Sequence, residues 1–303
     1  MDKRTLAILA AFGASAIYAL NHVIAKDVMP LFIKPFGFIL LRVTGAFLLF
    51  LIISFWGPRE KIAKKDWLRL ILCAIFGMVI NMLFFFKGLS LSTPINSAVI
   101  ITISPIILLI LSAIWIKERI TFIKIIGVLV GLAGALTLVL FGAEIREDAP
   151  NIPLGNMLFL VNATSYSIYL IMVRPLTTKY HTFTLMKWLF LIAVVINFPI
   201  TIGEFSEVNW KELPFEAIWK MTFVVVGTTF LTYLLNLFAL KELPATTIGT
   251  FIYLQPLLTI IFAAFLGADA LNSVKIVAAI LVFTGVYMVT KKEKSQVNHK
   301  IGN

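Results

Sequence analysis

With 303 residues, 60% of them hydrophobic and only 14% charged, and a mean hydropathy of +0.98, this chain cannot be a soluble globule. Such a protein is about a quarter charged. A net charge of +11 would suggest nucleic acid in a soluble protein, but here the basic residues cluster at the ends of apolar runs, which leaves a lipid bilayer, and no nucleic acid, as the partner. The lone cysteine, Cys73, excludes an intramolecular disulfide.

Apolar runs of about twenty residues, each able to cross a hydrocarbon core of roughly 30 Å, fall at 5–26, 35–56, 67–89, 94–117, 121–141, 153–176, 184–203, 215–238, 244–266 and 272–290. The first opens with Lys3 and Arg4 and passes Ala14-Ser15-Ala16, which mimics a signal peptide. Its apolar character continues to Ala25, so it reads as an uncleaved helix. Connectors are short, and the sizeable polar stretches are 57–66, 142–152 and 204–214. If the N-terminus is cytoplasmic, eighteen of the 26 Lys and Arg lie on the cytoplasmic side, seven lie opposite, and Arg42 sits inside a span. That asymmetry places both termini in the cytoplasm.

The chain writes one pattern twice. Thr93–Val139 matches Pro244–Thr290 at an offset of about 151, so that Pro105 falls on Pro256, Glu118 on Asp269, Lys124 on Lys275 and Gly134 on Gly285. Tyr18 and Lys26 match Tyr166 and Arg174 more loosely, at about 148. Five spans per half is an odd number, so the second half enters the membrane from the opposite face. The expectation is an all-α integral membrane protein of ten transmembrane helices, arranged as two inverted five-helix repeats. The first repeat is 1–142, the linker 143–152, the second repeat 153–291 and the cytoplasmic tail 292–303. Repeats of this kind characterise secondary transporters with a substrate site near the midplane.

Polar residues inside the spans are the candidate cavity lining, because buried Asn, Gln, Tyr and Thr need partners. Helix 1 offers Tyr18, Asn21 and His22, helix 3 Asn81 with Phe84 and Phe85, and helix 6 Asn162, Ser165, Tyr166 and Tyr169. Helix 8 carries a stripe of Thr228, Thr232 and Asn236 flanked by Thr229 and Tyr233, and helix 9 adds Tyr253 and Gln255. Pro105 and Pro256 lie mid-helix and are expected to kink helices 4 and 9 as symmetric gates. Arg42 and Lys87 are the charge candidates: Arg42 for a substrate carboxylate or a structural partner, Lys87 as an interfacial anchor. His22 is the titratable residue within a span that suits proton coupling. Gly127, Gly131 and Gly134 allow close helix contact and leave a homodimer open. Asp27, Glu118 and Asp269 sit at helix ends, and no carboxylate lies mid-span. Without a convergent acid, base, nucleophile, metal set or P-loop, the chain reads as no enzyme and needs no cofactor or metal.

Together these residues resemble the EamA-domain members of the drug/metabolite transporter superfamily over about residues 5–290. The resemblance rests on ten spans in two halves, a mid-helix proline, an acidic residue after that helix, a glycine-dotted last helix, and Arg42 within LLRVTGAFLL. At Asp269 a glutamate is commoner in the family. The resemblance implies an inner-membrane carrier of small metabolites such as amino acids, often an exporter, working by alternating access. Carriers of sugars, nucleotide-type or lipid-linked metabolites are the alternative.

Overall fold

Helix dominates the computed structural model, which describes residues 2–28, 31–91, 100–101, 103–115, 121–142, 151–265 and 273–290. Among them the helices are α1 Lys3–Val28, α2 Pro35–Ser54, α3 Trp67–Ala74, α4 Asn81–Leu91, α5 Ser104–Trp115, α6 Phe122–Gly142 and α7 Ile152–Thr177. They continue with α8 Thr182–Ser206, α9 Phe215–Phe223, α10 Thr232–Glu242, α11 Ala245–Thr250, α12 Leu254–Phe265 and α13 Ser273–Thr290. Among the described residues six stretches are long and apolar enough to cross a membrane: Lys3–Asn21, Pro35–Ser54, Lys64–Gly88, Pro153–Thr177, Thr182–Ser206 and Phe215–Glu242. The other expected spans fall on α5, α6, α11 with α12, and α13. Glu118, Asp269 and most of the 142–152 linker lie outside the described residues.

Two rods are interrupted. A wide π-helical turn, Ile75–Ile80, joins α3 to α4, and a second, Val224–Leu231, joins α9 to α10. They begin 149 positions apart, close to the spacing of the sequence repeat. The segment carrying Pro256 is also broken, with a 3-10 turn at Phe251–Tyr253 between α11 and α12. Pro105 is the second residue of α5 and Pro256 the third of α12, and the 3-10 turn at Phe251–Tyr253 stands just ahead of Pro256 in a helical run from Ala245 to Phe265, an interruption that suits a residue without an N–H.

Packing partners exchange when the halves are exchanged. α1 lies against α10 and α12, and its counterpart α7 lies against α4 and α5. α2 runs along α8, and α6 along α13. The α2–α8 seam buries stacked Phe50 and Phe190, with ring centroids 5.4 Å apart. The α6–α13 seam is built on glycine: a Cβ on Gly285 would lie 2.5 Å from the Gly127 carbonyl oxygen and 2.7 Å from Gly131 Cα. The Gly127–Gly131 face is therefore filled from within the chain.

Each end of the α2–α8 pair is tied by a carboxylate on a helix N-terminus. Glu204 accepts from the backbone N–H of Phe36 (2.7 Å) and Gly37 (3.2 Å) at the start of α2. At the other end Glu60 accepts from His181 N–H (2.7 Å), just ahead of α8. A lysine pair stands beside each: Lys34 with Glu207 at 2.5 Å, and Lys179 with Asp66, whose carboxylate also accepts from Tyr180 Oη at 2.5 Å. Glu207 holds the Lys34 ammonium above the usual lysine range by its hydrogen bond and charge, and Asp66 does the same for Lys179. The outward surface is apolar, with Leu48, Ile52, Leu129, Val195, Phe198, Ile280 and Phe283 exposed, as lipid contact requires.

Candidate functional site

A π-turn closes its hydrogen bonds one residue wider than an α-helix and leaves carbonyls without helical donors. In lipid these must find partners inside the protein. Around Ile75–Ile80 they do. Ser165 Oγ donates to the Phe76 carbonyl (2.7 Å), Tyr233 Oη to that of Gly77 (3.0 Å), and Asn162 Nδ2 to that of Asn81 (2.7 Å). At the second turn Thr229 Oγ1 donates to the Val224 carbonyl at 2.9 Å, Thr232 Oγ1 donates to that of Thr228, and Thr228 Oγ1 donates to Asn21 Oδ1 at 3.0 Å. Much of the polar lining thus stitches the interrupted backbone together.

Between the turns lies a cluster of rings around one cation. Tyr166 and Tyr169 have ring centroids 5.8 Å apart, Tyr169 and Tyr233 6.3 Å, and Tyr233 and Phe190 5.2 Å. Asn236 Nδ2 donates to Tyr166 Oη at 3.4 Å, and Tyr18 lies beside Thr232. Arg42 reaches in from α2. Its Nε donates to Thr229 Oγ1 at 3.0 Å, and its Cζ stands 5.4 Å from the Phe86 ring centroid. Tyr233 and Tyr18 also lie near it. At 7% exposure it is the one charged residue among the buried described residues.

Of the residues singled out in the sequence, Tyr18, Asn21, Tyr166, Tyr169, Thr229, Thr232, Tyr233, Asn236 and Arg42 meet in this cluster. Asn81 contributes its backbone carbonyl. Phe85 packs on Phe86 (5.2 Å) and Phe159 (6.0 Å), Phe84 and Gln255 are half-buried, and Lys87 is exposed. Tyr253 packs on α6, where a Cβ on Gly131 would meet its ring at 2.7 Å. The side chains of His22 and Pro256 lie outside the described residues. Sequence reasoning missed Gly77 and Phe86. A Cβ on Gly77 would stand 2.5 Å from Tyr169 Cδ2, so only glycine lets that ring lie against the turn. Its counterpart at a spacing of 150, Gly227, is the signal that could have found it. Tyr169 Oη is buried and has no hydrogen-bond partner among the described residues. A separate apolar groove of about 300 Å³, lined by Phe76, Ile80, Leu160, Val161, Thr164, Ser165 and Ile168, follows the flank of α7. No group of three His, Cys, Asp or Glu suited to a metal occurs among the described residues.

The sequence profile of the EamA-like transporter family matches the chain twice, over residues 5–140 and 153–291. The chain belongs to the EamA-like transporter family. Like other EamA-like proteins, it is a multi-pass membrane protein and a transporter. It is 25% identical to an uncharacterized transporter of Archaeoglobus fulgidus, over 95% of this chain and 98% of the other. It is 22% identical to the uncharacterized transporter YetK of Bacillus subtilis, over 97% and 89%. It is 21% identical to the WAT1-related protein At3g53210 of Arabidopsis thaliana, over 90% and 79%. A crystal structure of a protein only 18% identical superposes with a TM-score of 0.78 over 93% of this chain and 95% of that chain, which establishes the likeness of fold.

Proposed function

We propose that this EamA-like protein is an inner-membrane secondary transporter, an exporter of small metabolites such as amino acids, with both termini cytoplasmic. Its ten spans form two inverted five-helix repeats, and alternating access proceeds by rocking one half against the other. The observation that carries the reading is the ring cluster around Arg42. It draws on α1, α2, α4, α7 and α10 at once, so any movement of one half against the other remodels it. The exchange of packing partners between halves supports two-fold related repeats. The two interrupted rods place backbone breaks beside the cluster, which is where discontinuous helices of transporters hold substrate.

Counterflow in proteoliposomes tests the reading. Vesicles preloaded with unlabelled amino-acid pools should accumulate a labelled one saturably. Tyr166→Ala and Asn236→Ala should lose that uptake while inserting into the membrane as the wild type does. Wild-type uptake in both variants would remove the cluster as the substrate site. Uptake with no change of internal pH identifies facilitated exchange.

A further inference from the structure

Arg42 is the eighth residue of the 20-residue α2, about 10 Å along the axis from its first residue at 1.5 Å per residue. A guanidinium offers five donors in a planar fork. One of them, Nε–H, is taken by Thr229 Oγ1. The other contacts are neutral: the Phe86 face, and the Tyr18 and Tyr233 hydroxyls within electrostatic reach. Among the described residues no carboxylate pairs with it. Every described acidic side chain lies in a loop or near a helix end, and none is buried. Among the described residues, then, no carboxylate compensates this buried positive charge, whose burial is costly unless an anion arrives.

The surroundings specify the rest of the ligand. Four tyrosine rings, with Phe86 and Phe190 beside them, offer flat apolar surface. The buried Tyr169 hydroxyl, with no partner among the described residues, offers a hydrogen bond. An ammonium group would meet no described carboxylate there and would have only ring faces and neutral oxygens.

We infer that the transported solute is an organic carboxylate with an aromatic or apolar body, whose carboxylate docks on the free fork of Arg42, and that the site prefers a net anion to a zwitterion. This rests on the transporter reading above and narrows it. The bidentate match between guanidinium and carboxylate supplies the selectivity.

The test uses four probes that share one body: 3-phenylpropionate, phenylalanine, 3-phenylpropanamide and phenethylamine. Binding is read as ligand-induced thermal stabilisation of the purified full chain, and transport as charge movement in proteoliposomes on a solid-supported membrane. Phenylpropionate should stabilise the wild type and carry current. Phenylalanine should need at least about tenfold more ligand, and the amide and the amine should have no effect. Arg42→Gln should weaken the phenylpropionate response by roughly thirty-fold or more, and Arg42→Lys should restore part of it. Should Arg42→Gln fail to fold, the wild-type ranking of the four probes decides alone. Equal responses to the carboxylate and its amide overturn the inference, as does a stronger response to phenylalanine. Counterflow of other metabolites with no response to any of the four probes overturns the carboxylate class and leaves the transporter reading standing. Failure of every metabolite class to exchange, carboxylates included, removes both.

Discussion

Gly285→Ala tests a close backbone approach between the halves. The added Cβ would lie 2.5 Å from the Gly127 carbonyl oxygen, 2.5 Å from Gly131 N and 2.7 Å from Gly131 Cα. Ordinary contact for such atoms begins at about 3.5 Å, so α13 must retreat from α6 by roughly 1 Å. The obstructing atoms are all backbone, and no side-chain rotation relieves them. Overpacking of this kind costs about 1–3 kcal/mol, and separation along the seam also loosens Val289 and Met288 against Gly127. The assay is the thermal unfolding of detergent-purified protein by intrinsic fluorescence, with Gly203→Ala as the internal control. Gly203 is an exposed residue of α8, and nothing lies within 4 Å of where a Cβ would stand, so alanine there should be neutral or slightly stabilising. Gly285→Ala should melt several degrees below wild type and Gly203→Ala at or above it. Equal melting temperatures for the two variants would refute the seam as drawn.

Gly77→Ala should drive the Tyr169 ring off the wide turn, cost about 1–3 kcal/mol and abolish transport; wild-type uptake at normal melting temperature would contradict the cluster geometry. Tyr233→Phe leaves the Gly77 carbonyl without its donor and should cost about 1–3 kcal/mol, read as a lowered melting temperature. Glu204→Gln removes the carboxylate at the start of α2, a contribution of about 0.3–1 kcal/mol near a helix N-terminus. It should open that end to a membrane-impermeant thiol reagent, read on Phe32→Cys in a Cys73→Ala background; unchanged labelling would count against a tie there. The lysine pairs give a pH test. Both ammonium groups are held above the usual lysine range, so what they contribute is complete below about pH 10.4 and is lost as pH rises through the raised value. The stability gap between wild type and a Lys34→Gln, Lys179→Gln double variant should therefore persist to about pH 10 and then close; a gap that vanishes near neutrality would refute the pairing.

Hydrophobic run length made the six long apolar stretches legible, and the offset of about 151 residues made the halves legible, because both are one-dimensional properties of the chain. Pro105 and Pro256 were found as equivalents for the same reason. The 3-10 turn just ahead of Pro256 was not, since nothing in the composition of Phe251–Tyr253 marks it. The wide turns left no compositional mark. Thr228, Thr232 and Asn236 follow α-helical spacing in sequence, yet the turn at Val224–Leu231 interrupts that helix, and the three side chains go to Asn21, a backbone carbonyl and Tyr166. Arg42 stood out as a charge inside a span. Its hydrogen bond to Thr229 crosses 187 positions of sequence, and only the packing of α2 on the second wide turn creates it.

The wide turns also bear on how the chain tolerates changes of length. A π-turn holds one residue more than the α-helical turn it replaces, while the rods on either side keep their direction. Removing one residue within Ile75–Ile80 should let α3 and α4 fuse into an uninterrupted rod that still spans and still packs on α7. The freed carbonyls of Phe76 and Gly77 would then turn back into the helix ladder, and Ser165 and Tyr233 would lose their acceptors. One residue of length thus separates a helix that only supports the fold from one that also takes part in the site, and the same holds for Val224–Leu231 in the other half.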